Sequence, residues 1–214
     1  MSTTPTRHLR ADAERNRRRL LDAAAEVFAQ EGLDASIAAI AQRAGVGQGT
    51  VFRRFPSKDD LIAAVFVDRM AALAEAAETA LVEDDAGRAF RRIFETACAV
   101  YARDRFLREA AERGIAARPE VKTQKRRLMT AITELLARAQ RDGALRADLS
   151  AQDIPFLINA IASASGPLAV AFPELWRRYL AVVLDGLRPG SGSLPVDVPS
   201  PQAVERALGR LGCA

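Results

Sequence analysis

The stretch Ser36-Ile-Ala-Ala-Ile-Ala-Gln-Arg-Ala-Gly-Val-Gly-Gln-Gly-Thr-Val-Phe-Arg-Arg-Phe-Pro-Ser-Lys-Asp-Asp-Leu61 decides how this chain is read. Ser36 is placed to cap a short helix whose apolar face is Ile37, Ile40, Ala41 and Ala44. Gly45 stops that helix after barely two turns, and Val46 and Gly47 form a tight turn. A second short helix is predicted from about Gln48 to Phe55, broken by Pro56. Ser57-Lys-Asp-Asp60 then reads as a capping box in its Ser-x-x-Asp form, opening a longer helix with Leu61, Val65, Met70 and Leu73 inward. Short helix, glycine turn, short helix is the pattern of a helix-turn-helix.

Upstream, a helix is predicted from about Ala11 to Glu31. Leu20, Ala24, Val27 and Phe28 form its apolar stripe and Gly32 its stop, while Arg15, Arg17, Arg18 and Arg19 crowd its first half. Downstream the pattern stays helical: about Ala86 to Asp104, Phe106 to Arg113, Pro119 to Asp142, an uncharged helix starting at Ser150 or Ala151, and a last long one from Pro173. In that last helix Trp176, Leu180, Val183 and Leu187 keep a heptad-like spacing suited to packing on another helix. The chain is therefore expected to be all-α. Residues 1–10 read as a flexible basic arm, 11–58 as the helix-turn-helix domain and 57–83 as a connecting helix. Residues 84–188 read as a second helical domain, and 189–214 as a flexible tail with room for a short amphipathic helix.

Composition agrees. Alanine, leucine and arginine abound while β-branched and aromatic residues are sparse, which favours helices. The formal net charge of +4 is too small to name a polyanionic partner by itself, so the placement of the arginines matters more than their number. Cys98 and Cys213 lie far apart, and the polar N-terminus has no apolar run of the secretory kind, so a reduced, cytoplasmic setting is expected. Between Asp153 and Glu174 no residue is charged, but Gly166-Pro167 interrupts the run, which suits a helix between protein surfaces better than a membrane span.

The stretch quoted above, with Phe28 and Gly32 before it, resembles the signature of the TetR family of bacterial repressors. The features that carry the resemblance are the Ile-Ala-x-x-Ala-Gly-Val core, Gly49-Thr50, an aromatic at Phe52, Phe55, and Lys58 followed by acids and Leu61. It covers about the first third of the chain. The resemblance implies that the second helix of the motif enters the DNA major groove by its N-terminus. Gln48 is then placed to pair with adenine and Arg53 with guanine, while Thr50, Phe52, Arg54 and Lys58 lie where the family contacts phosphate and sugar. Gly49 leaves room for close backbone approach. This sequence departs from the usual pattern at three places: Phe52 stands for a tyrosine, Arg54 for a histidine, and Gly47 for a serine cap. Arg54 is expected to take over part of the phosphate contact that the missing hydroxyl gives up. Arg15 and Arg17 to Arg19 read either as a solvated helix face or as a further phosphate contact. Phe55, Ile40 and Val46 read as core.

Gly143-Ala-Leu-Arg-Ala-Asp-Leu-Ser150 and Trp176 to Arg188 look like the C-terminal halves of some TetR-type regulators. That resemblance implies a domain that binds a small molecule and pairs with a second subunit through its last two long helices. A two-fold dimer of this kind calls for a roughly palindromic operator in double-stranded DNA. Candidate ligand-facing residues are Phe94, Cys98, Tyr101, Phe106, Met129, Asn159, Ser163 and Trp176, each of which also reads as plain core or interface. Enzymatic chemistry finds little footing: the single histidine is His8 in the arm, no glycine-rich loop follows a strand, and Glu83-Asp84-Asp85 reads as an exposed loop. No cofactor, metal or catalytic residue is expected. A DNA-binding structural protein without a ligand is the remaining alternative, since the sensing domain is identified by analogy.

Overall fold

A computed structural model describes the backbone of residues 5–103, 105–190 and 192–210. Its regular elements are all helical: α1 (Pro5–Glu31), α2 (Ile37–Ala44), α3 (Gln48–Arg54), α4 (Lys58–Ala80), α5 (Ala86–Arg103), α6 (Arg105–Glu112), α7 (Pro119–Arg141), α8 (Asp153–Ser165), α9 (Leu175–Gly186) and α10 (Pro201–Arg210). Short 3-10 turns sit at Ile115–Ala117 and Gly166–Leu168. No described helix is long and apolar enough to cross a membrane. The helix containing the uncharged run ends at Ser165, where Gly166-Pro167 was expected to stop it.

The chain divides into two compact units, Met1–Phe66 and Val67–Ala214, so the boundary falls within α4 and the connecting helix is shared between them. In the first unit α1 packs on α2 and α2 on α3. Leu20, Leu21, Ala24, Phe28, Ile40, Val51, Leu61 and Ile62 are buried there, so the apolar stripes of four helices meet in one small core. The helix ends are made by the residues expected to make them. Ser36 Oγ accepts the Ala39 N–H at 3.0 Å. Ser57 and Asp60 cap α4 reciprocally: Asp60 N–H donates to Ser57 Oγ and Ser57 N–H to the Asp60 carboxylate, both at 3.1 Å. At the motif's turn Gly45 takes a left-handed φ of 67°, with Gly45 N–H on Gln42 O and Val46 N–H on Ala41 O. These two bonds make a Schellman stop.

Two expectations at the chain ends need correction. The arm assigned to residues 1–10 is helical from Pro5, because a proline suits a first helical position and nothing between Thr6 and Ala11 breaks a helix. Residues 1–4 of that arm lie outside the described residues. The tail is not loose from residue 189: Arg146 donates to the carbonyls of Gly186 and Gly192, and Asp148 accepts the Leu194 N–H at 2.8 Å. Arg146 and Asp148 also pair with each other at 2.6 Å. An arginine fork and a carboxylate thus clasp the chain that leaves α9.

In the second unit α5 is the central helix, packing against α7, α8 and α9. Phe90, Ile93, Phe94, Ala97 and Cys98 turn inward along it, and Phe90 stacks on Phe94 with centroids 6.0 Å apart. Arg138 on α7 donates to the carbonyls of Leu81 and Glu83, and Arg127 forks onto Glu78. Those bonds fasten the end of α4 to α7. Trp176, Leu180 and Leu187 of the heptad-like seam are buried within this unit against α5 and α8. The seam therefore serves the protomer's own core rather than a partner's helix.

Candidate functional site

The short α3 presents one face inward and the rest outward. Val51 is fully buried and the cap residue Phe55 nearly so, which fixes the helix on its neighbours. Gln48, Gly49, Thr50, Phe52, Arg53 and Arg54 are all exposed, and Lys58 at the start of α4 is partly so. Phe52, at 47% exposure, is a large apolar ring left in water on a helix that otherwise carries polar and basic groups. Gly47, the N-cap, has extended backbone and offers no side chain to the helix start, and an added Cβ at Gly47 or Gly49 would meet nothing within 4 Å. The amino end of α3 is therefore open. Backbone N–H groups there are available to an anion.

A cleft of about 280 Å³ runs beside α3 within the first unit. Thr50, Arg53 and Arg54 line one side and Asn16 and Arg17 of α1 the other, with Leu20 and Val46 as its apolar floor. Val46, expected as core, is only partly buried and forms part of this wall. Of the α1 arginines, Arg19 reaches the Ala44 carbonyl at 3.4 Å, Arg18 pairs with Asp22 at 3.1 Å, and Arg17 lies 3.7 Å from Glu14. Arg17 alone among them lines the cleft, together with Arg53 and Arg54 of α3. Sequence reasoning treated the α1 arginines as a group; the helical period, which sets Leu20 on the core side and Arg17 one turn before it, was the signal that separates them. Arg43, by contrast, is drawn to Glu26 at the α1–α2 contact, with Nε–Oε2 at 2.7 Å.

The residues proposed to face a ligand divide. Phe94, Cys98, Phe106 and Trp176 are fully buried, and Tyr101 and Met129 partly. Asn159 and Ser163 are exposed on the outer face of α8, so neither is an inward polar group. The α8 period explains this: Ile154, Ile158, Ile161, Ala162 and Ser165 take the inner face, which leaves 159 and 163 outside. None of the eight lines the cleft beside α3 or a second cavity at the other unit's α5. Burial, with Glu95 nearby, pushes the Cys98 thiol up to about 12, and burial raises the Tyr101 hydroxyl as well. Lys125 on α7, not singled out from the sequence, has its pKa lowered by burial and by Lys122.

Phe156, Leu168, Val170, Phe172 and Val182 are exposed, between 47% and 101%, on α8, the segment after it and α9.

The profile of bacterial regulatory proteins of the tetR family matches residues 20–65, and that of the SbtR-like transcriptional regulator C-terminal domain matches residues 85–189. A TetR transcription regulatory protein of known structure from Mycobacterium vanbaalenii is 34% identical with a TM-score of 0.65, covering 84% of this chain and 99% of that one. A TetR transcriptional regulator from Streptomyces coelicolor is 32% identical with a TM-score of 0.64, covering 81% and 99%. The HTH-type transcriptional regulator SrpR of Pseudomonas putida is 43% identical over 60 residues, 28% of either chain. The matched span is thus under a third of that curated relative's length. With the exposed α3, its capped neighbours and the helical second unit, these likenesses assign the protein: the chain belongs to the TetR family of bacterial regulatory proteins.

Proposed function

We propose that this DNA-binding regulator is a homodimeric repressor that occupies a roughly palindromic operator and leaves it when a small molecule binds its second unit. The observation that carries the DNA half is the exposed face of α3 and the cleft beside it, which Thr50, Arg53 and Arg54 line together with Arg17 of α1. In this reading Gln48 and Arg53 reach base edges, and Thr50, Phe52, Arg54, Lys58 and Arg17 hold phosphate and sugar. Gly49 lets the backbone approach closely.

The dimer is supported by the exposed apolar residues Phe156, Leu168, Val170, Phe172 and Val182. Large apolar side chains left in water on neighbouring segments of the chain are costly and favour a second copy. Asn159 and Ser163, on the outer face of α8, then act as polar contacts of the interface and not as ligand groups. The ligand is assigned to the interior beside Phe94, Cys98, Tyr101, Phe106, Met129 and Trp176. Release requires the ligand to bind tighter to a conformation whose recognition helices no longer match successive grooves. With DNA as its target, the protein acts in the cytoplasm.

Selection of random duplex DNA by the full chain, followed by titration of the winning sequence across a salt series, tests this reading. A palindromic consensus bound with steeply salt-dependent affinity is expected. Enrichment of no sequence would defeat it, and an operator-reporter strain distinguishes repression from activation.

A further inference from the structure

Where α5 begins, the second unit carries a cavity of about 400 Å³ that neither the DNA reading nor the interior ligand reading uses. Its floor is apolar: Phe90 and Leu145 are buried beneath it, and Leu184 of α9 closes one side. Its rim is basic, with Arg88 and Arg91 from α5 and Arg188 just beyond α9. The one acid in the lining is Asp85, whose carboxylate is engaged in accepting the Arg88 backbone N–H at 2.8 Å. Arg188 lies 3.2 Å from Asp185, an exposed partner near the end of α9 that water screens. The neighbouring Glu83 is forked by Arg92 and also feels the charge of Arg88, which leaves Arg91 and Arg188 as the rim's anion-facing pair. The rim thus keeps a surplus of positive charge over an apolar bed.

The shape is fixed by close packing and not by chance looseness of a surface. A Cβ on Gly87 would come within 2.6 Å of Ala144 Cβ, so α5 and the turn after α7 touch at the cavity's edge. Arg146 N–H donates to Leu187 O at 2.9 Å and ties that same turn to the end of α9. Three elements that line the cavity are therefore mutually pinned.

We infer that this cavity is a binding site for a small amphipathic anion, its carboxylate or phosphate held by Arg91 and Arg188 and its apolar body lying on Phe90, Leu145 and Leu184. A guanidinium fork matches an oxyanion geometrically, and the apolar floor rewards a carbon body that a bare ion lacks. The volume accommodates a two-ring acid. The site is independent of the reading of the interior as the ligand chamber, because no residue is shared between them.

The test uses the full chain and 1-naphthoate as the probe, with the neutral 1-naphthalenemethanol as its uncharged counterpart, each followed by calorimetry. Saturable binding of naphthoate at one site per chain is expected. Replacing Arg91→Gln together with Arg188→Gln is expected to weaken it roughly tenfold or more, as loss of charged hydrogen bonds should. The alcohol is expected to bind weaker by a similar factor, and Arg141→Gln, an exposed α7 change outside the cavity, to have no effect. No saturable binding, or binding that the double replacement leaves intact, overturns the assignment. Equal affinity for acid and alcohol overturns it too. Circular dichroism of the exposed-arginine variants confirms that the helices remain.

Discussion

Arg53 and Lys58 separate the two ways a single residue contributes to DNA recognition. Arg53 is exposed on α3 and lines the cleft, while Lys58 sits at the capped start of α4. Arg53→Ala is expected to relax preference at one base position in each half-site, costing about 1–3 kcal/mol of discrimination. Lys58→Ala is expected to weaken all sequences alike and to lower the salt slope by about 1 per subunit. Binding titrations on matched and mismatched duplexes at several salt concentrations check both. At Cys98 the expectation is chemical inertness. A buried thiol raised to about 12 offers almost no thiolate near neutrality. In a Cys213→Ser background, alkylation of the native protein should be slow and should become fast only on unfolding; prompt native labelling would contradict it. The type of residue at each of these positions was legible in the sequence, because glutamine, threonine and arginine at a helix start have recognisable chemistry. Their company was not: the meeting of Arg17 with Arg53 and Arg54 depends on how α1 and α3 cross.

At the scale of helices, local signals carried most of the information. Ser36, Gly45, Ser57 and Asp60 act through bonds to residues within five positions, so spacing alone reveals them. Which partner an apolar stripe faces is a tertiary matter. Trp176, Leu180 and Leu187 formed a good seam on paper, yet the protomer itself fills it, and the outward residues are those between, Val182 among them. Asn159 was misplaced for the same reason, since a helix with no charge after its first residue gives periodicity little to work with. Gly87 illustrates contact that no local pattern announces. Gly87→Ala would ordinarily steady a helix, but the 2.6 Å approach to Ala144 Cβ should make it destabilising by about 1–3 kcal/mol. Denaturant melts of Gly87→Ala, Ala144→Gly and the double variant form the test. The double variant should recover part of the loss, and strictly additive effects would remove the steric explanation.

At the scale of the molecule, two compact units share α4, and the dimer is a prediction about the second of them. Val182, 68% exposed on α9, is expected to lie in the interface. Val182→Glu should leave the helices of the protomer intact, shift sedimentation toward the monomer, and lower operator affinity with it. A variant that stays dimeric and binds DNA normally would move the interface elsewhere. The all-helical architecture was legible from composition and helix periodicity, and the division into a DNA-binding and a second domain from the helix-turn-helix pattern and its resemblance to the TetR signature. The boundary within α4 was not, because an unbroken helix carries no punctuation where one core gives way to the next.

The clasp formed by Arg146 and Asp148 also sets how the end of the chain comes apart. Arg146 and the Leu194 N–H hold the Asp148 carboxyl well below the usual carboxylate range. A depressed acid lends stability that is full above its unfolded pKa of about 4 and fades as pH falls toward its folded value. Acidification should therefore lower the protection of the amide hydrogens around Leu194, measured against their intrinsic exchange rate at each pH, while the helical core still holds, and Asp148→Asn should bring that loss of protection to neutral pH. An exopeptidase working backward from the C-terminus would meet the same fastening as a roadblock. Once past α10 it should pause close to Leu194 in the wild-type chain and pass further in the variant, so that one carboxylate sets the next stopping point of digestion.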